Sequence, residues 1–347
     1  MNTRRIKVGN LYIGGKTDIT VQSMTNTKTE DYTSTKSQIA ELQNAGCDIV
    51  RCTVPTHEAA INLINLSKEF SLPLVADIHF DHKLAIECAD GGIAKIRINP
   101  SNIGSQLKVA EVCKALVANG TPVRIGVNGG SLDKDIKERL GITANALVES
   151  ALRQADVLEK NGVSNIVISV KSSNTQLTYE AYSILSQKCD YPLHLGVTEA
   201  GFGNDALIKS SACMGGLLLN GIGDTIRYSL TGAPIEEVKA GIALLSSLGL
   251  RRKGVEIISC PTCGRTNIDV EGISKQLYEH LLSKKKNVKI AVMGCVVNGI
   301  GEGEEADFGI AGGREKSVLF AKSKQIKQVR NEDIIKEMLK LFEEYDG

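Results

Sequence analysis

Three cysteines near the carboxyl end carry the most pointed chemistry in the sequence. They are Cys260-Pro261-Thr262-Cys263, followed 32 residues later by Cys295 in Gly294-Cys295-Val296-Val297-Asn298-Gly299. Three thiols in so short a stretch suit a metal or cluster site. Structural zinc takes four Cys or His ligands in a closed tetrahedron. A [4Fe–4S] cluster on three thiolates instead leaves one iron for a weaker, exchangeable ligand. No natural fourth Cys or His accompanies the trio, because His280 falls inside a helical pattern and Cys189 and Cys213 belong to helical segments upstream. Glu302, in Gly299-Ile300-Gly301-Glu302-Gly303, is a candidate oxygen ligand; with Glu304, Glu305 and Asp307 it also reads as a solvated acidic turn. The remaining six cysteines, at 47, 52, 88, 113, 189 and 213, read as small buried apolar residues.

A second chemical set lies on strand-length segments. Side chains alternate faces along a strand, and the polar residues fall on one parity. Arg124, Gly126 and Asn128 oppose Val123, Ile125 and Val127; Lys95, Arg97 and Asn99 oppose Ile96 and Ile98; Ser169 and Lys171 oppose Ile168 and Val170. Asp77 and His79, Arg51 and Thr53, and His194, Gly196 and Thr198 follow the same scheme. Burying so many cations costs several kcal/mol each unless carboxylates or an anionic ligand neutralise them. Asp77, Glu199 and Asp224 are available carboxylates, and arginine forks suit a phosphorylated ligand. Lys171 serves phosphate binding, a Schiff base or a helix cap. His79 and His194 are acid–base groups or hydrogen-bonded core residues, and Glu199 is a catalytic carboxylate or a loop cap.

The segments that position these groups repeat as strand then helix. Strands are expected at 21–25, 48–54, 73–79, 94–99, 122–128, 166–171, 192–198 and 224–231. Helical stripes fall at 37–45, 57–70, 146–161, 203–214 and 235–248. Eight such units predict a (β/α)₈ TIM barrel of the α/β class. Gly249 to Gly254 brackets a basic patch and marks the boundary, giving a substrate-binding barrel at 1–250 and a cluster-binding domain at 251–347. That second domain is a small α+β unit with strands at 255–259, 288–293, 308–311 and 317–321 and helices at 271–283 and 332–345.

Whole-chain properties exclude several classes. The 347 residues allow two or three domains. A net charge of +1 and 4% aromatic residues argue against nucleic acid and anionic membranes as partners. No apolar run reaches the ~18 residues of a membrane span, and Met1 to Lys7 lacks the apolar core of a secretory signal. Nine scattered cysteines then imply a reducing cytoplasm.

The chain resembles the 4-hydroxy-3-methylbut-2-enyl diphosphate synthase family, bacterial two-domain type, over nearly its whole length. The likeness rests on Val21-Gln22-Ser23-Met24-Thr25, Ala76-Asp77-Ile78-His79-Phe80, Arg124 through Leu132, Leu195 through Gly201, Gly221 through Arg227, Ser259 through Arg265 and Gly294 through Gly299. It implies that Cys260, Cys263 and Cys295 ligate a [4Fe–4S] cluster with Glu302 as fourth ligand. The implied reaction reduces 2-C-methyl-D-erythritol 2,4-cyclodiphosphate by two electrons to 4-hydroxy-3-methylbut-2-enyl diphosphate. Arg51, Arg97, Arg124, Lys171, Asn128 and Ser229 are expected to hold the diphosphate. Asp77, His79 and Glu199 are expected to position hydroxyls or move protons, Glu199 being first choice for the acid. Flavodoxin or ferredoxin is the implied donor, and a homodimer would set the cluster domain of one chain over the barrel of the other. The pattern departs at Ile300, where the family usually has Pro. The Lys284-Lys285-Lys286 run reads as a dock for an acidic electron carrier or as a solvated helix end. Competing readings are a Schiff-base aldolase or dihydropteroate-type barrel with a zinc-stapled tail, and an electron-transfer module.

Overall fold

The computed structural model describes residues 2–251, 254–281, 284, 286–297, 299–322 and 324–345. The chain forms two compact units, Met1–Arg251 and Arg252–Gly347. Arg252 and Lys253 of the basic patch, Lys285 and Asn298 lie outside the described residues. Arg251 belongs to the first unit, where its guanidinium donates to Asp48 Oδ1 at 3.0 Å.

The first unit opens with a hairpin, β1 (Ile6–Val8) and β2 (Leu11–Ile13), which the basic amino terminus does not foretell. Its Ile6, Val8 and Ile13 pack on Ile49, Val75 and Val167, apolar residues near the beginnings of barrel strands. The hairpin therefore floors the barrel at its amino-terminal end. Eight parallel strands follow: β3 (Thr20–Met24), β4 (Ile49–Thr53), β5 (Leu74–Asp77), β6 (Lys95–Ile98), β7 (Val123–Asn128), β8 (Ile166–Lys171), β9 (His194–Leu195) and β10 (Thr225–Ile226). Their order β8-β7-β6-β5-β4-β3-β10-β9 closes through a single bridge, Ile168 to Leu193. Strands β9 and β10 are much shorter than the seven and eight residues expected. One cause is visible at the seam: the Tyr182 hydroxyl donates to the His194 carbonyl, satisfying an acceptor that a longer strand would pair.

Around the barrel run α1 (Tyr32–Asn44), α2 (His57–Glu69), α3 (His82–Asp90), α4 (Pro100–Ile103), α5 (Gln106–Asn119), α6 (Lys134–Leu140), α7 (Ala144–Lys160), α8 (Thr175–Lys188), α9 (Gly203–Leu219) and α10 (Pro234–Ser247). Residues of the apolar strand parity, including Val50, Ala76, Ile96, Ile125, Ile168 and Leu195, pack with helix stripes such as Leu63, Leu116, Leu147 and Leu185 in one core. Side-chain caps start several helices where strands hand over. Thr56 accepts from Ala59 N–H at the head of α2, and Asn174 accepts from Leu177 N–H at the head of α8. No described helix is long and apolar enough to cross a membrane.

The second unit is a five-stranded sheet, β11 (Val255–Ser259), β12 (Val288–Met293), β13 (Phe308–Ala311), β14 (Lys316–Ala321) and β15 (Lys324–Arg330), joined in that order. The first three strands are parallel and the last two pairings antiparallel. Helices α11 (Val270–Leu281) and α13 (Ile334–Glu344) bury Leu277, Leu281, Met338 and Phe342 with Ile290 and Phe308. A smaller cluster of Ala291, Met293, Ala311 and Phe320 receives Ile300 from the short α12 (Gly299–Glu302). Strand β15 was not expected from the sequence. Its Lys-Gln-Ile-Lys-Gln-Val-Arg run has one buried residue, Val329, as suits a charged edge strand. Lys284 pairs with Glu343 at 3.0 Å, and Lys286 Nζ donates to the Phe342 carbonyl at 2.7 Å. These two lysines thus cap the carboxyl end of α13, where cations are favoured.

Candidate active site

Strand parity builds the lumen as its residue types require. A cavity of about 90 Å³ at the carboxyl-terminal ends of the strands is lined by Arg51, Arg97, Arg124, Asn128, Lys171 and Ser229, the whole expected diphosphate set. Arg227, Ser169 and Thr198 complete its polar wall. Two glycines leave the cations their space. A Cβ on Gly196 would lie 2.4 Å from Lys171 Nζ and 2.5 Å from the Arg227 carbonyl, and one on Gly126 would lie 3.1 Å from Arg97 Nε.

The electrostatics show what such a cavity wants. Six cations, Arg51, Lys95, Arg97, Arg124, Lys171 and Arg227, share the lumen with two buried carboxylates. Arg97 Nη1 donates to Asp77 Oδ1 at 3.0 Å, and Arg51 Nε stands 3.5 Å from Asp77 Oδ2. Burial alone would raise the Asp77 carboxyl, but the Arg51 and Arg97 guanidiniums outweigh it and hold it at about 2. The other carboxylate, Glu237, accepts from Arg227 Nε at 3.4 Å, from Ser23 Oγ at 3.0 Å and from Leu230 N–H at 3.1 Å. Two carboxylates leave the six cations poorly compensated. Burial lowers Arg51 to about 10, with Arg227 and Arg97 adding to the fall and Asp77 opposing it. Burial together with Arg124 and Arg51 pulls Lys95 down to about 7. Burial followed by repulsion from Arg124 and Arg227 lowers Lys171 well below a normal lysine. Such an excess of buried positive charge suits an anionic ligand.

Arg227 and Glu237 were not singled out from the sequence. Glu237 had a signal: it lies four residues before Gly241 and eight before Leu245, on the buried stripe of α10. A carboxylate on an apolar stripe marks a buried partner. Asp224, expected inside the barrel, is instead at the amino-terminal side, accepting from Thr3 Oγ1 at 2.7 Å and Leu193 N–H at 2.8 Å. It precedes β10 on the opposite parity to Thr225, so it ties strand beginnings together instead of meeting the cations.

Asp77 lies buried beside the cavity, whereas His79 and Glu199 are exposed on the loops after β5 and β9. His79 Nε2 lies 3.2 Å from Arg97 Nη1, which links it to the wall. Glu199 has φ +52°, a left-handed backbone that is unfavourable for a side chain with a Cβ. His194, by contrast, is fully buried. Burial and then Lys171 and Arg124 hold its pKa far below normal, so it is a neutral imidazole.

In the second unit, Cys260 directly follows β11 and Cys295 follows β12 by two residues; these strands are parallel neighbours. Gly294 N–H donates to Cys260 Sγ at 3.1 Å, and Asn267 N–H donates to the Gly294 carbonyl at 2.8 Å. Both loops are thereby fastened at one sheet edge. The exposed Cys263 thiol is held below its ordinary pKa by the Arg265 backbone N–H, which favours the ligating thiolate. Glu302 lies on α12, in the connection after β12 that also carries Cys295. Among the described residues no three Cys, His, Asp or Glu side chains stand together as a ready metal cage. The donor chemistry and strand-end placement fit three-thiolate cluster ligation. The barrel cysteines differ: Cys47, Cys52, Cys88, Cys113 and Cys213 are buried and Cys189 half-buried. Burial pushes the thiols of Cys47, Cys52 and Cys88 up to about 12.

Fold and site together define a TIM-barrel enzyme for an anionic substrate, carrying a thiol-bearing α+β domain. The GcpE TIM-barrel domain matches residues 3–242 and the GcpE protein C-terminal domain matches residues 256–344. The chain belongs to this family, the 4-hydroxy-3-methylbut-2-en-1-yl diphosphate synthases. The flavodoxin-designated synthase of Clostridium perfringens is 53% identical, over 98% of both chains. That of Caldanaerobacter subterraneus subsp. tengcongensis is also 53% identical, over 98% of this chain and 96% of its own. Among solved structures, the Yersinia pestis dihydropteroate synthase with a pterine–sulfa conjugate superposes with TM-score 0.52 at 14% identity. It covers 71% of this chain and all of its own, a likeness of barrel fold alone.

Proposed function

We propose that the cation-rich barrel mouth holds the diphosphate of 2-C-methyl-D-erythritol 2,4-cyclodiphosphate while the tail thiols hold a [4Fe–4S] cluster. The chain is an oxidoreductase of the non-mevalonate isoprenoid pathway. It opens the cyclodiphosphate and removes a hydroxyl, taking up two electrons and releasing water to give 4-hydroxy-3-methylbut-2-enyl diphosphate. The observation that carries the site assignment is the excess of six lumen cations over two carboxylates, both already engaged. Arg51, Arg97, Arg124 and Lys171 bind the phosphate oxygens, with Asn128 and Ser229 as neutral partners. Asp77 fixes the Arg51 and Arg97 side chains and, with His79, orients the substrate hydroxyls. Glu199 supplies the proton to the departing hydroxyl oxygen from its carboxyl group. Cys260, Cys263, Cys295 and Glu302 would hold the cluster, which when bound supplies one-electron transfer and a Lewis-acidic iron with an exchangeable position.

Flavodoxin is the proposed electron donor, in keeping with the parenthesis in the relatives' names. We place the protein in the cytoplasm as a homodimer, with the cluster domain of one copy over the barrel of the other. Phe80 and Phe202, 73% and 78% exposed on the loops after β5 and β9, suit a rim that a second copy covers.

Purified without oxygen, the protein is expected to carry about four irons and four sulfides per chain, as that cluster type requires, and to convert the cyclodiphosphate with reduced flavodoxin. Glu302→Ala should retain part of its iron yet lose turnover; full activity would remove Glu302 from the mechanism. Mixing Cys263→Ser chains with Arg124→Met chains should restore activity that neither has alone. No restoration, with subunit exchange verified by mass spectrometry, overturns the shared site.

A further inference from the structure

The deepest part of the lumen has chemistry that the mouth does not use. Lys95 and His194 are fully buried and Arg124 nearly so. Lys95 Nζ, both ring nitrogens of His194, and Arg124 Nε and Nη2 have no hydrogen-bond partner among the described residues. Both amide atoms of Gln22 and the hydroxyls of Thr20 and Thr225 share that condition on the adjoining strands. Thr20, Thr225 and His194 lie in one register row across β3, β10 and β9. Lys95 is registered beside Val75 and Arg124 beside Val167, the apolar floor sealed by the hairpin. Arg124 reaches the mouth cavity, but Lys95, His194 and Gln22 are not part of its lining. These groups therefore form a polar layer between the floor and the mouth.

Charge makes the layer more than a hydrated gap. Asp77 is engaged by Arg51 and Arg97, and Glu237 by Arg227, Ser23 and the Leu230 backbone. A bound cyclic diphosphate adds two negative charges at the mouth, one per phosphorus. On the reading given above, two lumen cations then remain without a counter-charge. Lys95 is the deepest cation, and Arg124 stands within its electrostatic reach. Buried N–H donors without acceptors are costly, and a buried ammonium is more so.

We infer that the barrel has a second, inner anion site beneath the substrate mouth, formed by Lys95, Arg124 and His194, and that it takes a small monovalent anion of the halide class. The floor excludes larger anions from below, and the diphosphate occupies the approach from above. The anion supplies the counter-charge and acceptor that Lys95 Nζ and Arg124 Nε lack, with the neutral imidazole N–H of His194 as a third donor. Such a site fixes Arg124, which also lines the mouth, before substrate arrives.

The test uses the full-length protein without substrate, so failure of the diphosphate assignment leaves its readouts unchanged. Crystals grown in sodium bromide should show an anomalous peak beside Lys95 Nζ. In solution, at constant ionic strength, replacing gluconate by chloride should raise the unfolding midpoint by about 3–5 °C per tenfold chloride above its dissociation constant. Lys95→Met, similar in length and uncharged, should abolish that increment. The inference is overturned if bromide appears only at the mouth, if a peak at Lys95 has no chloride effect in solution, or if Lys95→Met keeps the wild-type chloride response. Should that variant fail to fold, the bromide peak and the wild-type salt series decide together.

Discussion

The barrel lumen and the thiol loops of the tail are both built at strand ends, yet they hold their functional groups by different means. In the lumen, parity and register fix each side chain, and glycines at 126 and 196 leave room for the cations. In the tail, two loops are fastened at Gly294, but Cys263 remains exposed and no cage is closed among the described residues. On the proposed function, the lumen is organised before its ligand arrives, whereas the thiols would reach their final geometry together with the cluster. On that reading, binding energy at the mouth is available for discrimination, while part of the energy of cluster binding would go into ordering the loops.

The largest expected effect follows from that difference. Cys263→Ser replaces an exposed thiol that has no packing role, so the unfolding midpoint of the metal-free protein should barely move. Iron content and activity should fall together, with turnover reduced at least about a thousandfold, on the order of 4 kcal/mol. Iron analysis beside thermal unfolding checks both halves. A large loss of stability in the metal-free protein would show that the loop is organised without its ligand, and the comparison would break on the tail's side.

A loss of comparable size, in stability and not in turnover, is expected in the lumen. Asp77→Ala leaves Arg51 and Arg97 buried without their shared carboxylate, and urea unfolding should record a loss of about 3–5 kcal/mol. The pH dependence has a definite sign. Asp77 is held at about 2 in the fold against 3.8 ordinarily, so its contribution is complete above about 4 and is lost as pH falls towards about 2. The wild-type advantage over Asp77→Ala should shrink through that window. An advantage independent of pH would mean that the aspartate acts by packing and not by charge.

Much of this contrast was legible in the sequence. Alternation along Arg124 to Asn128 and Lys95 to Asn99 placed the cations on one face because strand geometry leaves them nowhere else. The Cys260, Cys263 and Cys295 spacing suggests metal or cluster chemistry for the tail but not how its loops are fastened. What stayed hidden depends on long-range partners. Glu237 reaches Arg227 from a helix whose stripe otherwise reads as core. The floor hairpin is two three-residue strands, too short for a periodic signal. The shortening of β9 is tied to Tyr182, twelve residues before His194, whose hydroxyl serves that carbonyl. Asp224 was misplaced for a related reason: its partners, Thr3 and Leu193, come from segments that local pattern does not connect to it.

The smallest expected effect tests how firmly the lumen is set. In Gly196→Ala the new methyl meets the Arg227 carbonyl at 2.5 Å, a backbone atom that cannot swing aside, as well as Lys171 Nζ at 2.4 Å. In Gly126→Ala the nearest atoms are Arg97 side-chain nitrogens at 3.1 Å, which can give by a few tenths of an ångström. Overpacking should therefore cost about 1–3 kcal/mol at 196 and less at 126. Displacing the Lys171 ammonium would weaken its proposed charge-assisted contact to substrate, so kcat/KM should drop roughly tenfold in Gly196→Ala, about 1.4 kcal/mol. Steady-state kinetics of the two variants checks the order. Equal losses would mean that the strand ends around β9 move as readily as a side chain, leaving the lumen no more preorganised than the thiol loops.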